Sequence, residues 1–256
     1  MLNEDFLDYV KQQDIKCGLG WYGLILYILS GIKHCNDNNQ EVLNKIICFE
    51  EKKGELDIVV PKGYPDFITK AINRSRESSK IICEYCGCIG ELQRYNDGSY
   101  KTLCSKCRKN YKRKKENIAS NDILDYMGKQ STIHCGYGLY GLVMPIVVVA
   151  FEYNKANPDN PYKPLFEAKE GKLYLGQGRA PACLEEIIHR AQDASGKICE
   201  RCGCRGKLQK CNDGFHRTLC PACKNKEYAE MNAIVASNRK LSFMKLYGGY
   251  NIAGDN

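Results

Sequence analysis

Eight cysteines fall into two sets of identical spacing. The first reads Cys83-x2-Cys86, seventeen intervening residues, then Cys104-x2-Cys107, and the second reads Cys199-x2-Cys202 followed by Cys220-x2-Cys223. Each Cys-x2-Cys knuckle offers two thiolates to one side of an ion, and a loop of this length folds back to complete a tetrahedron. The spacing therefore predicts two zinc ions per chain, each held by four sulfurs. Cys88 and Cys204 follow two residues after a ligand and are expected beside the ions but outside their coordination shells. Four thiolates saturate a tetrahedral zinc and leave no position for an activated water, so the expected role of the metal is structural.

Other residue types that do chemistry are less ordered. None of the four histidines (His34, His134, His189, His216) has a histidine at the matching position of the other set. The acids that do recur, Asp5 with Asp122, Asp8 with Asp125, Glu84 with Glu200 and Asp97 with Asp213, fit helix N-termini, knuckle filler and turns. Cys17 and Cys135 sit beside glycines and read as nucleophiles or, more commonly, as small buried thiols. A non-catalytic protein is the expectation. The Gly-aromatic blocks at 17–24 and 135–142 have two readings. The glycines turn the chain while the aromatics fill core, or backbone approaches a ligand and Trp21, Tyr22, Tyr137 and Tyr140 offer stacking faces. On the second reading a nucleotide would lie near Trp21, Tyr22 and Tyr140, with Arg74 and Arg190 facing its phosphates.

These motifs sit on a chain that is itself a tandem duplication, with an offset of 116 to 118 residues. Asp5-Phe6-Leu7-Asp8-Tyr9 matches Asp122-Ile123-Leu124-Asp125-Tyr126, and Phe49-Glu50-x-Lys52-x-Gly54-x-Leu56 matches Phe166-Glu167-x-Lys169-x-Gly171-x-Leu173. Each copy reads as a short helix and an apolar run, helical or in part strand at Val147-Val148-Val149. A hairpin follows around a Lys/Gly turn, then a helix opened by Pro65 or Pro181, and then the cysteine module with its Asn-Asp-Gly turn. The fold class is α+β, two tandem copies of a helix, β-hairpin, helix and four-cysteine zinc-ribbon-like unit. The first repeat covers 1–118 with its zinc module at 83–107. The second covers 119–230 with its module at 199–223, and 231–256 forms a C-terminal helix or tail. Ser or Asn of the recurring Ala-Ser-Asn at 119–121 and 236–238 would cap the element that follows. Two such halves are expected to pack about a pseudo-twofold axis within one chain or to behave as a homo-oligomer.

Composition bounds the rest. The 256 residues, 43% of them hydrophobic, are too apolar for a disordered chain. With eight of sixteen cysteines in knuckle spacing, and neither a signal-like segment nor an eighteen-residue apolar run, the reducing cytoplasm and no membrane are expected. Lys106, Arg108, Lys109, Lys112, Arg113, Lys114 and Lys115 carry seven of the eight net positive charges. That local run is either a solvated connecting helix or a nucleic-acid contact over Lys106–Lys115.

Cys17-Gly18-Leu19-Gly20-Trp21, Glu51-Lys52-Lys53-Gly54, Cys83-Glu84-Tyr85-Cys86-Gly87 and Thr102-Leu103-Cys104, with Cys199-Glu200-Arg201-Cys202-Gly203 and Thr218-Leu219-Cys220 in the second copy, resemble a family of small phage and prophage zinc-binding proteins of largely unassigned function. The likeness covers most of both halves, although Tyr100 and His216 stand where several members carry tryptophan. It implies a phage accessory protein that counters host defence. Its partner would be a nucleotide-derived signal or a host defence protein, with nucleic acid as the alternative.

Overall fold

A computed structural model of the protein describes residues 4–38, 46–60, 63–111, 119–129, 133–176 and 180–226. The predicted 231–256 tail, the Ser or Asn cap at 236–238, and Lys112 to Lys115 of the basic run lie outside the described residues.

Each repeat begins with a short amphipathic helix, α1 (Glu4–Lys11) and later α5 (Asn121–Gly128). In α1 acids open the helix and Lys11 closes it, complementing its dipole, while Phe6, Leu7 and Val10 form the buried stripe. Ser120 takes the N-cap position of α5 as expected, but its hydroxyl makes no capping hydrogen bond. A small three-stranded sheet follows in each half. In the first, β1 (Asp14–Lys16) runs parallel to β2 (Cys48–Lys52), which pairs antiparallel with β3 (Glu55–Val59). The second half repeats this topology.

Between β1 and β2 the Gly-aromatic block forms a 3₁₀ turn at Leu19–Trp21 that leads directly into α2 (Tyr22–Asn38). The hairpin is followed by α3 (Asp66–Ser79), whose N-cap is Pro65. The first cysteine module contributes β4 (Glu91–Arg94), β5 (Tyr100–Leu103) and α4 (Ser105–Lys109). In the second repeat the elements are β6 (Ile133–His134), α6 (Tyr140–Ala156), β7 (Leu165–Lys169), β8 (Lys172–Gly176), α7 (Ala182–Ser195), β9 (Lys207–Lys210) and β10 (His216–Leu219). The α+β class and the repeated unit are thus as expected.

The Val147-Val148-Val149 stretch is helical and not strand. It lies inside α6, which carries Pro145 and is buried on most sides. Burial against α2, α5 and α7 overrides the β preference of three consecutive valines. The stretch Tyr137–Ala156 is also long and apolar enough to cross a membrane, and 61% of its most apolar window is buried inside this fold. The sequence expectation of no such run is corrected accordingly.

The two repeats share one continuous apolar core, from Phe6 in α1 to Leu219 in β10. Their contacts are reciprocal, as an approximate internal twofold requires. A Cβ placed on Gly23 would overlap the Gly138 carbonyl oxygen, and one placed on Gly141 would overlap that of Gly20. Only glycine lets the two helix starts approach backbone to backbone. Nearby, Lys11 pairs with Asp125, and the rings of Phe6 and Tyr137 lie 5.4 Å apart.

Candidate metal centres

The knuckles are built by local hydrogen bonds that the sequence dictates. In the first, the Cys83 amide donates to the Cys88 carbonyl at 2.7 Å and the Gly87 amide donates to the Cys83 carbonyl at 2.9 Å. The same pair of bonds, at 2.7 and 2.9 Å, joins Cys199 to Cys204 and Gly203 to Cys199. The turn needs a left-handed residue, supplied by Gly87 at φ +70° and Gly203 at φ +76°. The second knuckle rides on the zinc hairpin. Cys104 caps α4, and its sulfur accepts from the Cys107 amide at 3.5 Å.

The eight thiols then converge as two groups. Within Cys83, Cys86, Cys104 and Cys107, and within Cys199, Cys202, Cys220 and Cys223, all sulfurs lie within 4.8 Å of one another. Cys86 and Cys104 are 3.6 Å apart, as are Cys202 and Cys220. A zinc–sulfur bond of about 2.3 Å implies a tetrahedral edge of about 3.8 Å, so the donor set fits the ion. Apart from the half-buried Cys107, all eight are buried. Hydrogen bonds from Cys107, Cys83 and Cys86 pull the Cys104 thiol down, and those from Cys199, Cys202 and Cys223 do the same for Cys220. Four buried thiols packed this closely can ionise together only with a cation among them. The two clusters are suited to hold two zinc ions. Cys88 and Cys204 belong to neither group of four.

Each centre is tied to the core below it. The Gly20 amide donates to the Glu84 carbonyl at 2.8 Å, and the Gly138 amide donates to that of Glu200 at 2.9 Å. The Trp21 indole donates to the Ile82 carbonyl at 2.8 Å. The Thr102 and Thr218 hydroxyls donate to the Gly54 and Gly171 carbonyls at 2.7 and 2.6 Å. In the first repeat Lys101 adds a partly buried ionic tie, bonding Glu51 at 2.7 Å and Glu84 at 3.0 Å. Burial alone would lower the Lys101 pKa, but the attraction of Glu84 and the two hydrogen bonds raise it.

The predicted ligand-stacking faces require correction. Trp21, Tyr22 and Tyr140 are 0%, 1% and 1% exposed and stand among the largest fully buried side chains. Their rings fill the core between the repeats, so they present no open face on which a base could stack. Arg74 and Arg190 are half-buried and do not converge on these rings as a phosphate clamp. Arg190 reaches the sulfurs of the first metal centre, at 3.1 Å from Cys86 and 3.1 Å from Cys104. Arg74 donates to the Tyr27 hydroxyl and the Lys70 carbonyl, both at 3.4 Å. Of the basic run, Lys106 pairs with Glu186 at 2.6 Å and Arg108 with Glu91 at 3.2 Å.

Two features escaped sequence reading. On β1 and β2, Asp14, Cys48 and Glu50 gather their donor atoms, because Asp14 and Cys48 face each other in register. Burial and hydrogen bonds to Glu50 and Asp14 push the Cys48 thiol up to about 12. Lys16, 2.7 Å from Asp14, already supplies the countercharge. The second is a cleft of about 430 Å³ between the β7–β8 turn and the second zinc hairpin, lined by Lys169, Glu170, Glu200, Phe215, His216 and Arg217 among others. No protein-family model, curated protein or solved structure matches this chain.

Proposed function

We propose that the chain is a non-catalytic, zinc-stabilised binding protein of phage type that counters host defence in the host cytoplasm by docking on a defence protein. The observation that carries this reading is that four of the eight exposed large apolar side chains among the described residues lie on the two zinc hairpins. Leu92 and Leu208 occupy matching positions of the two zinc hairpins and are 40% and 47% exposed. Tyr100 and Phe215, 38% and 68% exposed, flank the same hairpins, each with an arginine, Arg94 or Arg217, 5.9 Å from the ring. Aromatic and arginine side chains on a metal-stiffened hairpin suit a protein partner, since such residues dominate binding energy at interfaces. The zinc is the scaffold on which they stand.

A second reading, sequestration of a nucleotide-derived signal, draws on the 430 Å³ cleft, which is of small-ligand size. Its cations Lys169 and Arg217 are accompanied by Glu170 and Glu200, which weakens the case for phosphate. Nucleic-acid binding through Lys106–Lys115 rests on a run of which, among the described members, Lys106 and Arg108 are paired with acids and Lys109 is exposed.

One comparison separates these readings. In cells whose defence the wild-type protein suppresses, a Leu92→Ser, Leu208→Ser, Phe215→Ser variant that still holds its metal is expected to lose suppression. A panel of cyclic oligonucleotides and cyclic ADP-ribose isomers incubated with wild-type protein is expected to come back undepleted. Intact signal released on denaturation would replace docking by sequestration, and a converted product would make the protein an enzyme. Suppression unchanged in the variant would remove the hairpins from the account.

A further inference from the structure

The two metal centres have identical ligand spacing, yet the protein around them is not identical. Helix α7 of the second repeat lies across the first centre. From it Arg190 donates to Cys86 and Cys104 at 3.1 Å each and approaches Cys107 at 3.8 Å. One turn earlier on the same helix, Glu186 pairs with Lys106 at 2.6 Å, and Lys106 sits between the ligands Cys104 and Cys107. The Cys88 thiol completes the seam by donating to the Arg190 carbonyl at 3.8 Å.

The matching helix of the first repeat, α3, lies beside the second centre but does not grip it. The Cys204 thiol reaches the Arg74 carbonyl at 4.0 Å, which is the counterpart of the Cys88 contact. The side chains differ. Arg74, the counterpart of Arg190, is turned to the Tyr27 hydroxyl at 3.4 Å. The equivalent of Tyr27 in the second repeat is Pro145, which offers Arg190 no hydroxyl. Lys70, the counterpart of Glu186, pairs with Asp66 at 2.7 Å within its own helix, and Ala222 stands where Lys106 stands. Two positions one helical turn apart thus reach the neighbouring centre in one direction and not in the other.

We propose that Arg190 is an outer-sphere positioning residue of the first zinc centre, so that metal retention in the first repeat depends on the docked second repeat more than retention in the second depends on the first. The chemistry follows from charge. A divalent ion with four thiolates carries a net charge of minus two, and N–H···S bonds from a guanidinium offset part of it where solvent is excluded. Arg190 supplies that donor from outside the repeat that owns the ligands. The proposal rests on zinc occupancy of the four-sulfur clusters and is independent of which partner the protein binds.

Cadmium NMR of the full chain loaded with cadmium tests it. Each centre gives its own signal, assigned through coupling to the cysteine Hβ protons, and each signal's decay is followed after a chelator is added. Arg190→Ala is expected to speed loss from the first centre roughly tenfold, as fits removal of a hydrogen bond to a charged group, and to leave the second centre unchanged. Arg190→Lys, which keeps the charge without the planar fork, is expected to recover part of the effect and serves as the readout where the alanine variant does not fold. Arg74→Ala is expected to change neither rate by more than about twofold, since Arg74 contacts no ligand sulfur by hydrogen bond. Equal acceleration at both centres, no acceleration in either Arg190 variant, or an Arg74 effect as large as that of Arg190 would overturn the proposal. Absence of both cadmium signals would instead remove the metal reading beneath it.

Discussion

Replacing Cys86 by serine is expected to lower the melting temperature of the protein by about 10 °C or more, whereas Cys35→Ser shifts it by a few degrees at most. Both thiols are 7% exposed, so burial does not distinguish them. Only Cys86 belongs to a four-sulfur cluster. The binding free energy of a structural zinc, on the order of 10 kcal/mol in small zinc domains, is part of the folding free energy, and a missing thiolate forfeits much of it. Cys35 sits on α2, where a serine hydroxyl finds a helix carbonyl and costs about 1 kcal/mol. Equal shifts in thermal denaturation would mean that the cluster contributes no metal-linked stability.

Gly23→Ala is the second large effect, and its sign opposes helix propensity. Gly23 lies in the first turn of α2, where alanine would ordinarily gain up to about 1 kcal/mol. The added methyl would instead meet backbone of the other repeat, the Gly138 carbonyl and the Gly141 amide. Backbone cannot rotate away as a side chain does, so the repeats must separate, at a cost of about 3 kcal/mol or more. Gly31→Ala in the same helix is the control. Its methyl would meet the tip of the flexible Ile68 side chain and, at ordinary contact distance, the Phe67 ring, and the variant is expected to remain within about 1 kcal/mol of wild type. Chemical denaturation of the two variants checks both values, and a neutral Gly23→Ala would show that the helix starts are not in contact.

The metal ligands, the α+β class and the duplicated order of elements were legible because each rests on local spacing. The Asn-Asp-Gly turns, the proline-opened helices and the knuckle pairs are all decided within a few residues. What stayed hidden is set by contacts far apart in sequence. Ser79 and Ser195 end their helices and accept the Leu56 and Leu173 amides, each at 2.8 Å, contacts no local pattern announces. The Gly-aromatic block signalled close approach without saying to what, and the answer is the other repeat and the knuckle rather than a ligand. Strands β1 and β6, of three and two residues, are too short to show a period. Arg190 read as a phosphate partner because the sulfurs it meets lie 83 to 104 residues earlier in the chain.

Zinc content of the purified full chain, measured by elemental analysis against protein concentration, tests the central claim most directly. Two zinc ions per chain are expected, one for each cluster of four sulfurs, retained through gel filtration and released only when the protein unfolds or its thiols are blocked. One ion per chain, or none, would contradict the account that two metal centres hold this duplicated fold together.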